Sequence, residues 1–408
     1  MELLAPAGDL EKLRVAFAYG ADAVYLAGEA FGLRSAAGNF SLKEIERGAR
    51  HARSLNRKVY LALNIYPTNS EIDRLIPYLK SLNSIVIDGL IVADAGVFSL
   101  VKEITDFPIH LSTQASITNS AAVKFWVEQG ARRVVLAREV SISEARQIKE
   151  QLNIELEMFI HGSMCMSYSG KCSISNYTAL RDANRGGCVN SCRWEYALSS
   201  DTSQNPFSKS FVMNSRDLSA VGVIQELINA GIDSLKIEGR MKSHLYLSTT
   251  VSCYRQMLDC FLEDRMPTEK DYIRWTDRLN SLPNRGFSDG FLQGAAGKDS
   301  ILYENVKTGV KSSYVGIVKD VLSEMMMIDV KNPFAEGDML GFQGFDGEVI
   351  SYEVKEIRDV SGARISQAKV NSLVGLKKDS NIKKLTVALK LSDSEKPMNN
   401  ESFKFNAV

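Results

Sequence analysis

Eight short apolar runs, spaced by amphipathic helical patterns, constrain this chain more than any other feature. They are ELLAP (2–6), AVYLAG (23–28), KVYLALN (58–64), GLIVAD (89–94), IHLST (109–113), RVVLAR (133–138), LEMFIHG (156–162) and SLKIEGR (234–240). Several follow a GADA, IDG, GAR or GID lead-in, which is how a helix ending on glycine hands over to a buried strand. Between them lie patterns such as DLEKLRVAFAYG, SLKEIERGARHARSL and SISEARQIKEQL. In the second, Leu42, Ile45, Ala49 and Ala52 fall on one helical face. Eight such units predict a (β/α)8 TIM-like barrel, because eight parallel strands close on themselves. Periodicity does not demonstrate closure, so a doubly wound open sheet remains the alternative. In a barrel the chemistry collects at the C-terminal strand ends. Those ends read Pro6-Ala7-Gly8-Asp9, Gly28-Glu29, Asn64, Asp94, Ser112-Thr113-Gln114, Arg138-Glu139, His161 and Glu238 to Arg240. From them we take His161, Glu238 and Arg240 as candidate catalytic residues.

The seventh unit departs from the pattern. Some fifty residues follow His161 before the helix-like DLSAVGVIQELINAG (217–231), where a loop of two to six residues is usual. This insertion, residues 161–213, is a candidate functional element. From about Tyr314 short alternating runs are broken by Gly-Asp, Asp-Gly and Ser-Gly turns, which predicts a small antiparallel β-barrel. The expected domains are therefore 1–300, barrel plus insertion, and 301–408, the β domain. The latter carries Lys377, Lys378, Lys383, Lys384 and Lys390 and ends in a polar tail.

Four of the six cysteines sit in the insertion as C-x6-C-x15-C-x3-C: Cys165, Cys172, Cys188 and Cys192. The N-terminus has no basic region followed by a cleavage site, and no apolar run approaches the ~20 residues of a membrane span. A cytoplasmic, reducing location follows, where clustered cysteines favour metal or redox chemistry over disulfides. Four thiolates hold either a tetrahedral zinc or an iron–sulfur cluster. Only the second pair has knuckle spacing, so zinc, a cluster and unliganded thiols all stay open. Cys253 and Cys260, two helical turns apart beside Met257 and Phe261, read as core.

His161, four residues before Cys165, is either a ligand or acid/base group or a hydrogen-bonded strand-end residue. His110 reads as structural and His51 as solvated, while His244 has no assigned role. The net charge is zero, so the whole chain does not advertise a polyanionic partner. Locally, Lys171, Arg181, Arg185 and Arg193 interleave with Tyr168, Tyr177, Trp194 and Tyr196. Cations with stacking faces suit single-stranded RNA or an anionic carboxylate. No G-x-S-x-G, H-E-x-x-H or papain-like motif is present.

HGSMCMSYSGKC and NRGGCVNSCRWEY resemble the collagenase-like peptidase family, number thirty-two of the unclassified (U) peptidases. So do LLAPAGDLEKLRVAFAYGADAVYLAG, LSTQASITNS and SLKIEGRMKS, and the resemblance spans essentially the whole chain. It implies oxygen-independent hydroxylation: of tRNA wobble uridine to 5-hydroxyuridine with prephenate as oxygen source, of a ribosomal RNA cytidine, or of a ubiquinone precursor. It also implies a 4Fe–4S cluster on Cys165, Cys172, Cys188 and Cys192. Two positions depart from the family pattern. Ser163 stands where alanine is usual, and Lys171 where arginine is usual, which keeps the charge and loses the bidentate fork. CRWEY and the β extension are most similar to the tRNA-hydroxylating members. The implied partners are tRNA and prephenate, with a partner protein left open and no membrane. A flipped uridine would need a stacking face, Tyr168 or Trp194, and phosphate-binding cations, Arg181, Arg185 or Arg193, with the β domain as a second wall. A collagen-cleaving metallopeptidase and a non-catalytic iron–sulfur scaffold are the competing expectations.

Overall fold

The structure is a computed structural model, and it describes residues 1–32, 39–198, 208–303 and 313–391. The chain divides into two compact units, residues 1–309 and 310–408. No helix among the described residues is long and apolar enough to cross a membrane.

Eight parallel strands build the first unit: β1 (Glu2–Pro6), β2 (Ala23–Ala27), β3 (Lys58–Leu63), β4 (Gly89–Val92), β5 (Ile109–Leu111), β6 (Arg133–Val135), β7 (Glu155–Ser163) and β8 (Ser234–Ile237). Each pairs with the next along β1 to β7. β8 then pairs with both β7 (Leu235 beside Met158) and β1 (Leu3 beside Leu235), which closes the ring. The barrel is thus established and the open sheet excluded. The strands read as mostly apolar runs because both faces are covered, one by the barrel interior and one by helices, and the charged exceptions Glu2, Arg133, Glu157 and Lys236 are buried and paired with one another.

The helices between strands are α1 (Leu10–Ala18), α2 (Leu42–Ser54), α3 (Asn69–Leu82), α4 (Ala95–Ile104), α5 (Ser120–Gln129) and α6 (Ile142–Gln151). Their starts are written in the sequence. Asp9 and Asp94, strand-end residues by position, accept from the Lys12 and Val97 amides at 2.8 and 2.9 Å. They are helix caps rather than site residues. Ser41 with Glu44 and Ser141 with Glu144 form capping boxes. On α2, Ile45, Ala49 and Ala52 are buried as the spacing predicts, but Leu42 is exposed. Leu42 opens the helix, so it lies beyond the packed stretch.

Two sequence expectations need correction. Residues 217–231 are not one helix. Asp217–Ser219 is a strand, antiparallel to the extended end of β7, and only Ile224–Asn229 is helical. β7 runs two residues past the closure, and this edge would otherwise leave ladder groups unpaired. His51 is not fully solvated either: it is half-buried, its ring 6.3 Å from Phe17, and burial lowers its pKa. His110, Cys253 and Cys260 are buried as read. Both cysteines lie on the 19-residue helix His244–Leu262, where His244 meets Glu11 at 3.4 Å.

The second unit is an antiparallel half-barrel. Eight strands run in the order 349–353, 339–343, 387–390, 313–321, 325–330, 373–377, 357–358 and 364–365, with a separate two-stranded ribbon. Val315, Ile328, Phe334, Phe342, Val354 and Leu376 lie in its core. Its polar tail, residues 392–408, falls outside the described residues.

Candidate active site

The insertion leaves the C-terminal end of β7, the face where barrel chemistry collects. Two glycines let it do so. Gly162 has φ +109°, and a Cβ there would lie 2.6 Å from the Glu238 carbonyl oxygen. Gly239 has φ +146°, and a Cβ would press on the Tyr246 ring. The ends of β7 and β8 therefore pack backbone to backbone.

Beyond Gly162 the chain is anchored largely by polar contacts, with Met164 and Ala183 buried beside them. Ser169 gives its amide and hydroxyl to the Glu139 carboxylate, at 2.7 and 2.5 Å. Asn184 exchanges two hydrogen bonds with the Cys172 backbone, at 3.1 and 2.9 Å. Arg185 reaches Glu71 on α3 at 2.5 Å. These contacts bring Cys165, Cys172, Cys188 and Cys192 around one cavity, shared with Gln114, Arg138, Asn190 and Arg193. All four are free thiols. Burial raises the Cys192 pKa, Arg193 opposes it, and the other three sulfurs push it further up. The four sulfurs thus feel one another's charge.

Among the described residues, no three His, Cys, Asp or Glu side chains converge tightly enough to hold one metal ion. Four cysteine sulfurs lining one cavity are a donor set that fits an iron–sulfur cluster and a zinc ion alike. N–H donors to sulfur, which tune such groups, are present: Ile174 to Cys172 at 3.4 Å and Arg138 to Cys165 at 3.6 Å.

A second cavity opens at the barrel mouth. It is lined by Tyr25, Asn64, Ser112, Gln114, Arg138, Phe159, Lys236, Glu238 and Arg240. A third, between β8 and the insertion, is lined by Arg193, Glu238, Arg240 and Lys242. Glu238 and Arg240 thus belong to both, and Arg193 joins the third to the cysteine cavity. Below the mouth, the barrel interior carries an ion network. Arg133 meets Glu2 at 2.6 Å and Glu157 at 3.0 Å, and Lys236 meets Glu157 at 2.7 Å. Burial alone would raise the Glu2 and Glu157 carboxyls, but the adjacent cations outweigh it and hold both below the ordinary range.

His161 stands apart. It lines none of these three cavities and packs among Tyr246, Tyr254 and Phe287, its Nδ1 3.2 Å from the Tyr254 hydroxyl. Burial lowers its pKa to about 3, so the ring is neutral. Its Nδ1 is thus held as a strand-end hydrogen bond would hold it, while its Nε2 is buried without a hydrogen-bond partner among the described residues. Tyr168, Trp194 and Arg181 are exposed. Arg185 is already paired with Glu71. Arg138 and Gln114, which line both the mouth and the cysteine cavity, appear in the sequence only among the polar strand ends, without an assigned role. Their positions at the ends of β6 and β5 were the available signal.

This fold and site define a (β/α)8-barrel protein with a cysteine-lined insertion on the barrel's C-terminal face. The chain belongs to peptidase family U32: the model of that family matches residues 8–302, and the model described as the peptidase family U32 C-terminal domain matches residues 311–387. It is 40% identical to tRNA hydroxylation protein P1 of Bacillus subtilis, over 90% of this chain and 89% of that protein. It is 33% identical to tRNA hydroxylation protein P of Escherichia coli, over 88% and 90%. It is also 30% identical to a protein named collagenase from Porphyromonas gingivalis, over 88% and 90%.

Proposed function

We propose that this protein hydroxylates RNA, forming 5-hydroxyuridine at the tRNA wobble position with prephenate as co-substrate. The observation that carries the reading is the cysteine cavity beside a cation-lined barrel mouth, in a chain that resembles tRNA hydroxylation proteins along most of its length. Cys165, Cys172, Cys188 and Cys192 would hold a 4Fe–4S cluster, which when bound supplies one-electron transfer. Replacing the uridine C5 hydrogen by hydroxyl removes two electrons from the base. A co-substrate that gives up a hydroxyl and takes up a hydrogen balances that change without molecular oxygen.

The chain's own residues fit the binding requirements. A base must leave its stack to meet such a site, and exposed Tyr168 and Trp194 offer faces for it. Arg181 is exposed and without a partner among the described residues, which suits a phosphate. Glu238 and Arg240 face the cavity the base or co-substrate would enter.

Nucleoside mass spectrometry of tRNA from a deletion strain tests the reading. Loss of 5-hydroxyuridine and its derivatives, restored by the wild-type gene and not by Cys188→Ala, is expected. Unchanged nucleosides would overturn it.

A further inference from the structure

Arg138 occupies an unusual position. Its guanidinium lies 4.3 Å over the Phe159 ring, which fixes its plane. Its polar contact is the Cys165 sulfur, 3.6 Å away and so weak. Among the described residues no carboxylate stands within ion-pair distance of it, whereas Lys236 nearby is paired with Glu157 at 2.7 Å. A guanidinium held flat, with its fork unclaimed, is a receptor for a planar carboxylate.

Gln114 completes the receptor. Its side-chain oxygen accepts from Asn64 Nδ2 at 3.3 Å and from the Ser112 hydroxyl. Its main-chain oxygen accepts from the Tyr66 hydroxyl at 2.6 Å. The oxygen side of the amide is thereby fixed, and the Nε2 group has no partner among the described residues. Both Gln114 and Arg138 line the barrel mouth and the cysteine cavity alike. They form the wall between the two.

We propose that a carboxylate of a small organic acid docks at the barrel mouth on Arg138 and Gln114 Nε2, so that Arg138 contacts the ligand and Cys165 at once. This rests on the function proposed above and deepens it: it assigns the residues that hold the co-substrate and places them against one of the four cysteines. A ligand so held is adjacent to the cysteine site without entering it, and the cysteine cavity stays open toward RNA.

The test is isothermal titration calorimetry of prephenate into anaerobically purified protein, with Arg138→Ala, Gln114→Leu and the remote surface variant Lys124→Ala. Iron content and the thermal midpoint of each are measured alongside. Losing hydrogen bonds to a charged ligand group should weaken binding by ten- to a hundredfold in Arg138→Ala and about tenfold in Gln114→Leu. Lys124→Ala should bind like wild type. Gln114→Leu decides the matter if Arg138→Ala loses iron, because Gln114 makes no hydrogen bond to a cysteine. Wild-type affinity in Gln114→Leu and in an iron-loaded Arg138→Ala would overturn the inference, as would absence of binding by the wild type. Calorimetry decides this irrespective of the RNA. A normal nucleoside profile in the deletion strain would remove the hydroxylation reading while leaving a carboxylate site measured or refuted by its own heat.

Discussion

Arg133 on β6 donates to Glu2 on β1 over 2.6 Å, which ties strands that are not neighbours across the barrel interior. The same guanidinium reaches Glu157 on β7 and Glu155 at the end of the same strand, at 3.0 and 2.9 Å. Tyr60 and Ser234 add hydrogen bonds to Glu2 at 2.7 and 2.9 Å. The carboxylates are thus fully engaged, and Arg133 is the cation that all three share, with Lys236 as a second partner of Glu157.

Arg133→Met should therefore destabilise the protein by about 3–5 kcal/mol, because it leaves two buried carboxylates undercompensated. Chemical denaturation read by circular dichroism checks this. A loss below about 1 kcal/mol would mean that the network contributes little to holding the barrel.

Much of the architecture was legible because both strand and helix signals agreed. β1 was bounded to the residue by ELLAP, and the capping serines at 41 and 141 mark where α2 and α6 begin. The strand at Asp217–Ser219 was hidden because its partner is the far end of β7, a pairing no local pattern encodes. In the site, the cysteines announced themselves by spacing and the arginines by number. What the spacing could not reveal is which cations are already spent. Arg185 and Arg181 look equivalent in the sequence, yet one is bound to Glu71 and the other is exposed. In the sequence Arg138 is only one polar strand end among several, because a lone arginine there has no motif. Its significance comes from Phe159, Cys165 and Gln114, which are distant in sequence.

His161 yields a prediction on pH. Its pKa of about 3 in the folded state lies below the 6.5 of a free histidine, and burial is the cause. The unfolded chain therefore binds an extra proton below pH 6.5, and stability falls as pH drops from about 6.5 toward 3. The slope is about 1.4 kcal/mol per pH unit for one such proton. His161→Phe, which keeps an aromatic ring against Tyr246 and Phe287, should show a shallower loss between pH 6 and 4.5 and retain hydroxylation. An abolished activity with intact fold would favour the acid/base reading of His161 instead.

Gly162→Ala should cost more than about 2 kcal/mol, because an L residue at φ +109° is strained and its Cβ meets the Glu238 carbonyl. Thermal unfolding measures the cost. Limited proteolysis should also show faster cleavage within residues 164–193, since Gly162 sets the angle at which the insertion leaves the barrel. An alanine variant with wild-type midpoint and cleavage rate would show that the two strand ends tolerate separation.

The pairing of Arg185 with Glu71 makes the two insertion arginines separable. Glu71 also caps α3, accepting from the Thr68 amide at 2.8 Å, so Arg185 ties the insertion to a fixed point on the barrel. Arg181 is exposed and unpaired among the described residues. If phosphate contact is the role of Arg181, Arg181→Ala should weaken tRNA binding and lower the slope of log affinity against log salt by about 1. Arg185→Ala should leave that slope unchanged and instead increase amide exchange across residues 174–188, where the tie is lost. Binding measured over a salt series, with hydrogen exchange on the same proteins, distinguishes them. Equal slopes for Arg181→Ala and wild type would move the phosphate contact elsewhere, with Arg193 and Lys242 on the cavity beside β8 the next residues to vary.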